Sequence, residues 1–153
     1  MDPHPALPDA ATRVRDSFAR QRFMATLGAT LAEVAPGRVA IDLPFEDALA
    51  QQHGFLHAGA GAAVVDSACG YAALTLMPAD AAVLTIEFKV NLLAPGAGAR
   101  FRAVGRVVRA GRTITVCAGE LLALPDEEGA EPVPVAMMQA TIMAVRERPA
   151  LRD

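Results

Sequence analysis

The chain has no tryptophan, one tyrosine and only two cysteines among its 153 residues. Cys69 and Cys117 lie far apart and form no CxxC pair, which excludes a disulfide framework and the usual zinc-site spacing. We expect both to be small, buried, apolar side chains. The His, Asp and Glu residues also lack metal-ligand spacing, so we expect neither a metal nor a cofactor.

Strong charge of either sign is missing as well. The formal net charge is -3 and the pI is about 5.6, which gives no reason to expect a nucleic-acid partner. Met1–Pro5 has no basic or apolar signal-peptide region, so we expect a cytoplasmic protein. Apolar residues are abundant instead, at 53% of the chain. This content excludes a disordered chain and suggests that each protomer buries further apolar surface in an oligomer.

One uninterrupted apolar stretch, Ala58–Met77, is long enough to span a membrane. It carries Asp66 near its centre and three glycines, and its flanks have no Lys or Arg. These features are atypical of a membrane span, so we interpret the stretch as a buried helix that Pro78 ends. Its small side chains suit a helix that lies close against a sheet.

Hydrophobic periodicity predicts the remaining elements. Residues 1–11 are expected to be frayed, and a helix capped by Thr12 is expected to end at Gly28. Strands are predicted at 30–34, 38–43, 84–92, 100–108, 113–124 and 133–145. In the 84–92 strand, apolar and polar residues alternate, which predicts a half-buried strand with Thr85 on its polar side.

One long helix and about six strands without crossover helices favour a single α+β domain over residues 1–153. The expected architecture is the hotdog fold, a curved antiparallel sheet wrapped around one central helix.

Asp66 is the only Asp, Glu, Lys or Arg between Gly54 and Ala79. An ionised carboxylate in apolar surroundings costs several kcal/mol unless it is paired or hydrogen-bonded. Such groups mark functional sites more often than stabilising ones. A structural carboxylate paired with Ser67, Tyr71 or an arginine is the alternative.

A wider motif surrounds this residue. His57-Ala58-Gly59 precedes Asp66, which follows the histidine by nine residues, and the later strand Thr85–Leu92 leads into a turn at Pro95. Residues 51–119, which contain this pattern, and residues 137–141 resemble the PaaI-like (phenylacetic acid degradation) branch of hotdog-fold acyl-CoA thioesterases. Ala58 replaces the first glycine of that family's His-Gly-Gly triplet. The resemblance implies an enzyme without a cofactor, with coenzyme A as part of its acyl-CoA substrate and a homodimer that shares its active sites.

The start of the long helix suits thioester chemistry. Unpaired N–H groups and partial positive charge at a helix N-terminus allow Ala58 and Gly59 to hold a thioester oxygen. Asp66 lies roughly 12 Å further along the same helix, so one subunit cannot easily supply both groups. Two antiparallel helices in a homodimer can, and we expect two dimers to form a tetramer. Asp66 then acts as a general base on water or as a nucleophile, and the sequence leaves both routes open.

The resemblance adds further site residues. It implies that Gln51 orients the carbonyl or the water, with an ordinary loop residue as the alternative, and that Thr85 bonds the attacking water. We expect His57 to contribute site geometry rather than proton transfer, with a simple helix cap or a bond to a neighbouring carbonyl as the alternative. A hotdog hydratase or dehydratase that uses His57 is the rival enzyme. A non-catalytic acyl-CoA-binding protein is the rival binding function.

Between Phe88 and Gly119 there are six basic residues and no acidic one. Arg106, Arg109 and Arg112, around a predicted turn, are therefore candidates for binding the phosphates of coenzyme A, with a solvated sheet edge as the alternative. The shortage of aromatic residues fits alkyl groups as readily as aryl ones, so the acyl group stays open.

Overall fold

The computed structural model describes residues 7, 9–127, 129–148 and 150–151. Its elements in chain order are α1 (Ala10–Arg20), α2 (Arg22–Thr26), β1 (Thr30–Ala35), β2 (Arg38–Pro44), a 3₁₀ turn (Asp47–Leu49), α3 (Ala58–Leu74), β3 (Ala82–Leu92), β4 (Arg100–Arg109), β5 (Ile114–Leu124) and β6 (Val133–Val145). Each predicted strand is found, with its ends within two residues of the prediction.

The strands form one antiparallel sheet in the order β1-β2-β4-β5-β6-β3. α3 packs across one face of this sheet and contacts β2 through β6. Val64, Ala68 and Ala72 of α3 are fully buried there. The predicted α+β hotdog fold, with a sheet around one long helix, is thereby confirmed. No helix in the described ranges is long and apolar enough to cross a membrane.

Glycines in the sheet allow α3 to approach very closely. A Cβ added at Gly105 of β4 would lie 2.3 Å from the carbonyl carbon of Ala68, and one added at Gly119 of β5 would lie 2.5 Å from a methyl group of Val65. Real side chains do not approach backbone atoms so closely. The small residues that permit close packing are therefore in the sheet as well as in the helix.

The two cysteines occupy this same layer. Both are free and buried, and the Cys117 thiol donates a hydrogen bond of 3.5 Å to the carbonyl oxygen of Cys69. Burial raises the pKa of Cys117 to about 12 and is also the main cause of a raised pKa at Cys69. The prediction of buried, unpaired thiols is confirmed.

The N-terminal helix differs from the prediction in its start. α1 begins at Ala10, so Thr12 lies inside the helix and the N-cap is Asp9, with a φ of 61°. Ala10 and Ala11, which were expected to be frayed, are helical. Residues 1–6 and 8 of the segment predicted to fray lie outside the described residues. Gly28, with a φ of 71°, follows the last helical turn as predicted.

The predicted single helix is also broken into two. Gln21 is extended, with φ -80° and ψ 91°, and separates α1 from α2. Its side-chain Oε1 accepts a hydrogen bond of 3.4 Å from Ser67 Oγ on α3. This tertiary contact, which is invisible in the helical periodicity, accompanies the break.

The C-terminal end of α3 is set by Arg13 rather than by Pro78 alone. α3 ends at Leu74, three residues before the predicted Met77. The Arg13 guanidinium donates hydrogen bonds to the carbonyl oxygens of Leu74 (2.5 Å), Met77 (2.8 Å) and Pro78 (2.5 Å). A cation at this position satisfies the unpaired carbonyls and complements the negative end of the helix dipole.

Candidate active site

The chain enters α3 in a conformation held by backbone hydrogen bonds. The Leu56 N–H donates to the Gly96 carbonyl and the His57 N–H donates to the Leu49 carbonyl, each at 2.8 Å. His57 is the N-cap residue, and its Nδ1 accepts a hydrogen bond of 2.9 Å from the Gly59 N–H. The helix therefore begins just after the histidine, as the motif predicts.

A cavity of about 520 Å³ opens at this helix N-terminus. Its walls come from the loop before α3, from the first turns of α3 and from the ends of three strands. The lining residues are Gln51, Phe55, Leu56, His57, Ala58, Gly61, Ala62, Leu92, Leu93, Ala94, Pro95, Gly96, Leu121, Val135 and Ala136. Gln51 and His57 carry the polar side chains of this lining, and the other residues are apolar or glycine. The cavity therefore suits an apolar group whose polar end lies at the start of the helix.

The two predicted oxyanion donors occupy different positions. Ala58 lines the cavity, and within the described part of the chain its N–H donates to no acceptor, as is usual in the first turn of a helix. The Gly59 N–H is donated to His57 Nδ1, and Gly59 lines a separate cavity of about 260 Å³ beside Phe23. A ring nitrogen that accepts a hydrogen bond carries no proton, which leaves Nε2 as the ring nitrogen of His57 that can donate. Ala58 and His57 both line the larger cavity, so the Ala58 N–H and the His57 Nε2 are its candidate donors.

Gln51, for which the resemblance implies a role in orienting the carbonyl or the water, also lines the cavity. Its Oε1 accepts a hydrogen bond from the His53 N–H, and its own N–H donates to the Phe55 carbonyl at 2.8 Å. These contacts hold the loop and leave the side-chain NH₂ as the donor that Gln51 can offer a ligand.

Asp66 lies half-buried at the middle of α3. Its Oδ1 accepts a hydrogen bond of 2.8 Å from Thr85 Oγ1 on β3. Burial raises the pKa of Asp66 above its ordinary value of 3.8, and the hydrogen bond from Thr85 opposes the rise. A paired cation would lower this pKa, so the rise indicates a carboxylate in a weakly polar position. The Ser67 hydroxyl, an alternative structural partner, donates to Gln21 instead.

A β-bulge in β3 turns Thr85 toward α3. Thr85 pairs with Ile142 and Glu87 pairs with Thr141, the adjacent residue of β6, so Ile86 is the extra residue. The bulge reverses the phase of the alternation, so the prediction of a regular strand with Thr85 on its polar side is wrong. Thr85 lies on the helix-facing side, where it reaches the carboxylate. Bulges often re-aim a side chain beside an active site.

β3 is an edge strand with largely exposed apolar side chains. Leu84 is 47% exposed, Ile86 51% and Phe88 43%. The predicted half-buried strand is therefore not found within one chain, because β3 pairs on one side only and the described residues leave these side chains uncovered. A long apolar edge of this kind is a template for pairing with another chain.

The carboxylate and the cavity are separate within one chain. Neither Asp66 nor Thr85 lines the cavity at the start of α3. Along a helix, the eight positions from Ala58 to Asp66 span roughly 12 Å, so a small group held at one end cannot reach the other. One chain presents the carboxylate on one part of its surface and the donors of the helix N-terminus on another.

The predicted phosphate-binding arginines also lie away from this cavity. Arg106 forms an ion pair with Glu120 and follows Gly105, which packs on α3, so Arg106 lies on the outer face of the sheet. Arg109 and Arg112 are exposed at the end of β4 and in the turn after it. In the parts of the chain that the structure describes, no group of three or more His, Cys, Asp or Glu residues is placed to hold a metal ion.

The long helix, the surrounding sheet and this divided site define a hotdog-fold protein of the thioesterase type. The chain belongs to the Thioesterase superfamily, whose family model matches residues 53–130. It is similar to the crystal structure of a thioesterase family protein from Silicibacter pomeroyi, with 53% identity, a TM-score of 0.86, and coverage of 90% of this chain and 98% of that one. The resemblance inferred from the sequence is thereby confirmed.

Two more distant comparisons add a similar sequence and a similar fold. A curated protein of Halobacterium salinarum, provisionally named an esterase, is 27% identical over 144 residues, which are 91% of this chain and 95% of that protein. The PaaI protein of E. coli, from the phenylacetic acid degradation operon, superposes with a TM-score of 0.78 at 16% identity, covering 90% of this chain and 94% of that one. At this identity the likeness shows a shared fold.

Sequence reasoning missed the apolar wall of the cavity. Leu92, Leu121 and Ala136 come from three strands that are neighbours only in the folded sheet, and Leu93 directly follows the first of them along the chain. The sequence signal for this wall was the pair of leucines just before Ala94-Pro95, because two adjacent leucines depart from the alternation of apolar and polar residues in the strand.

Proposed function

We propose that the protein is an acyl-CoA thioesterase whose active site is completed by a second copy of the chain. The observation that carries this proposal is the separation of Asp66, hydrogen-bonded to Thr85, from the cavity at the N-terminus of α3. Membership of the Thioesterase superfamily supports the reaction class. A homodimer in which the α3 helices lie antiparallel would place the carboxylate of one subunit beside the cavity of its partner.

The exposed edge of β3 supports such a dimer. Pairing of two β3 edges would satisfy free backbone groups and cover Leu84, Ile86 and Phe88, which are about half exposed in one chain. It would also bring the helix-facing side of each β3, with its Thr85, toward the partner. The expected tetramer of two such dimers and the cytoplasmic location stay predictions.

The reaction follows from the groups at the two halves of the site. The Ala58 N–H and the His57 Nε2–H bind the thioester oxygen and stabilise the negative charge that develops on it, at about 3–4 kcal/mol per donor. The Gly59 N–H becomes a further donor to the thioester oxygen when its hydrogen bond to His57 Nδ1 breaks. Gln51 orients the carbonyl. Water adds to the carbonyl carbon, the carbon–sulfur bond breaks, and the products are the free acid and coenzyme A.

Asp66 has two possible parts in this reaction. As a general base it removes a proton from the attacking water, which Thr85 helps to position. As a nucleophile it attacks the carbonyl carbon, releases coenzyme A and forms a mixed anhydride, which water then hydrolyses. Arg109 and Arg112 remain the predicted contacts for the phosphates of coenzyme A. Because both are exposed at one end of the sheet, they would act on a substrate that extends beyond the cavity.

Thiol release from a panel of alkyl and aryl acyl-CoAs tests the proposal. We expect the wild type to turn over and Asp66→Asn to lose about 10²–10⁴-fold in kcat with its fold intact. Ser67→Ala is the matched control, since it removes the neighbouring polar group on α3 and is expected to keep near-normal activity. Binding without turnover by the wild type would replace the proposal with a binding function, and hydration of a 2-enoyl-CoA without thiol release would replace it with a hydratase.

Subunit mixing tests the shared site directly. Asp66→Asn and His57→Ala chains are each expected to be inactive, but a mixed dimer has one site with an intact Asp66 and an intact His57. Random mixing in equal amounts should restore about a quarter of wild-type activity, because half of the dimers are mixed and each has one good site. A mixture no more active than its components after verified subunit exchange would refute the shared site.

A further inference from the structure

The cavity at the start of α3 has a floor formed by one row of residues across three strands. Leu121 of β5 pairs with Ala136 of β6, and Ala136 pairs with Leu92 of β3. All three line the cavity. Residues paired in this way point to the same face of a sheet. The row therefore has a large side chain at each end and a small one in the middle, which leaves a depression at Ala136.

The width of this depression follows from sheet geometry. Neighbouring strands lie 4.7–4.9 Å apart, so Leu121 and Leu92, two strands apart, are separated by roughly 10 Å between their backbones. The two leucine side chains occupy much of that width. What remains is a slot suited to a single polymethylene chain and narrow for the flat face of an aromatic ring.

One side of the slot is closed and the other is open. A Cβ at Gly61 would lie 2.7 Å from Leu121 Cδ2, so α3 and β5 are in full contact there. On the opposite side, Leu92 is 60% exposed and Leu93 53% exposed at the edge of the sheet. A ligand anchored at the helix N-terminus therefore lies over Ala136, with Leu121 on the closed side and Leu92 on the exposed side.

The lining also limits the chemistry of the ligand. Its polar side chains, Gln51 and His57, belong to the end of the cavity that binds the thioester. A hydroxyl or charged group further along the ligand would lose its hydrogen bonds to water and gain no side-chain partner from the lining that this chain supplies, which penalises such ligands.

We propose that the acyl group accepted by this protein is an unbranched, unsubstituted alkyl chain, and that Ala136 is the residue that determines its length. This inference rests on the proposed thioesterase function. It names the substrate class for the site and assigns a specificity role to a residue outside the catalytic motif.

The test compares kcat/KM for straight-chain acyl-CoAs from acetyl to dodecanoyl with that for phenylacetyl- and 4-hydroxyphenylacetyl-CoA. For the wild type we expect kcat/KM to rise by about fourfold per methylene until the slot is filled, as expected for burial of CH₂ groups. The hydroxylated aryl ester should be a poorer substrate than the best alkyl ester. A better rate with the hydroxylated aryl ester would overturn the proposal.

Ala136→Val tests the residue itself, because it fills the depression with a side chain that strands tolerate well. Relative to the wild type, we expect its kcat/KM to fall at least tenfold further for the longest chains than for acetyl-CoA. Ala123→Val is the matched control: Ala123 is 7% exposed on β5 and does not line the cavity, so the chain-length profile should not change. An equal loss at every chain length in Ala136→Val would indicate a structural role and contradict the assignment.

Calorimetric binding of the same esters to the Asp66→Asn protein separates the two proposals. If no ester is cleaved by the wild type, the thioesterase function fails. The chain-length dependence of Kd, measured with Asp66→Asn alone and combined with Ala136→Val, then still decides the alkyl-chain inference. Affinity that is independent of chain length, or an unchanged profile in the double variant, would overturn it.

Discussion

The contact between α3 and β4 offers the most stringent test of the packing that positions the site. In Gly105→Ala, the new methyl group would lie 2.3 Å from the Ala68 carbonyl carbon and 2.5 Å from the Cys69 nitrogen. Ordinary contacts begin at 3.4 Å, so α3 must move by roughly 1 Å. The opposing atoms belong to a helix backbone, and no side-chain rotation relieves the overlap. We therefore expect a loss near the upper end of the usual range for overpacking, about 3 kcal/mol.

For a chain of this length, 1 kcal/mol corresponds to about 2–4 °C in Tm, so Gly105→Ala should melt roughly 6–12 °C below the wild type by calorimetry. Activity should fall as well, since α3 carries both His57 and Asp66, and a misplacement of about 1 Å can reduce rates by up to 10²-fold. Gly70→Ala is the control. Its Cβ would lie 3.9 Å from the nearest methyl group, of Val83, and it should raise stability by about 0.5–1 kcal/mol through helix propensity. A Gly105→Ala protein that melts with the wild type would refute the close-packing argument.

Two further predictions concern the charged side chains of Asp66 and Arg13. Burial raises the pKa of Asp66 in the folded state, so this carboxyl binds its proton more tightly in the folded chain than in the unfolded one. The wild type should therefore lose stability as pH rises from 3.8 through the folded-state pKa, whereas Asp66→Asn should not. The Tm advantage of the variant should grow across that window and vanish in acid. Arg13→Gln removes the guanidinium that binds the carbonyls of Leu74, Met77 and Pro78, and should lower the free energy of unfolding by about 2–3 kcal/mol in denaturant titrations. Arg15→Gln, an exposed neighbour, should change it by less than about 0.5 kcal/mol.

Much of the fold was predictable from local patterns. The six strands and the long helix that begins at Ala58 follow from the side-chain patterns of short segments, and the structure confirms their presence. The break at Gln21 and the early end of α3 were not predictable, because they depend on contacts with residues far away in sequence. Ser67 binds Gln21, and Arg13 binds the carbonyls at the end of α3.

The same distinction between local patterns and contacts with distant residues applies to the candidate site. Asp66 was recognisable because an isolated acid in an apolar helix is costly, and His57 was recognisable from its place before a helix rich in small residues. The position of Thr85 was mispredicted, since a bulge shifts the phase of a strand only through its pairing with β6. The hydrogen bond from Gly59 to His57 agrees with the alternative that His57 caps the helix.

The sequence alone thus determined the order of elements, the isolated acid in the apolar helix and the helix start that we propose as the oxyanion site, because these depend on side-chain type and local spacing. Tertiary structure decided which strands are neighbours, and with them the row Leu121–Ala136–Leu92 and the exposed edge of β3. Strand order and register arise from the packing of the whole sheet on α3, whose free energy is shared among distant segments. For that reason the isolated carboxylate of Asp66 was evident in the sequence, and the apolar wall of the cavity was not.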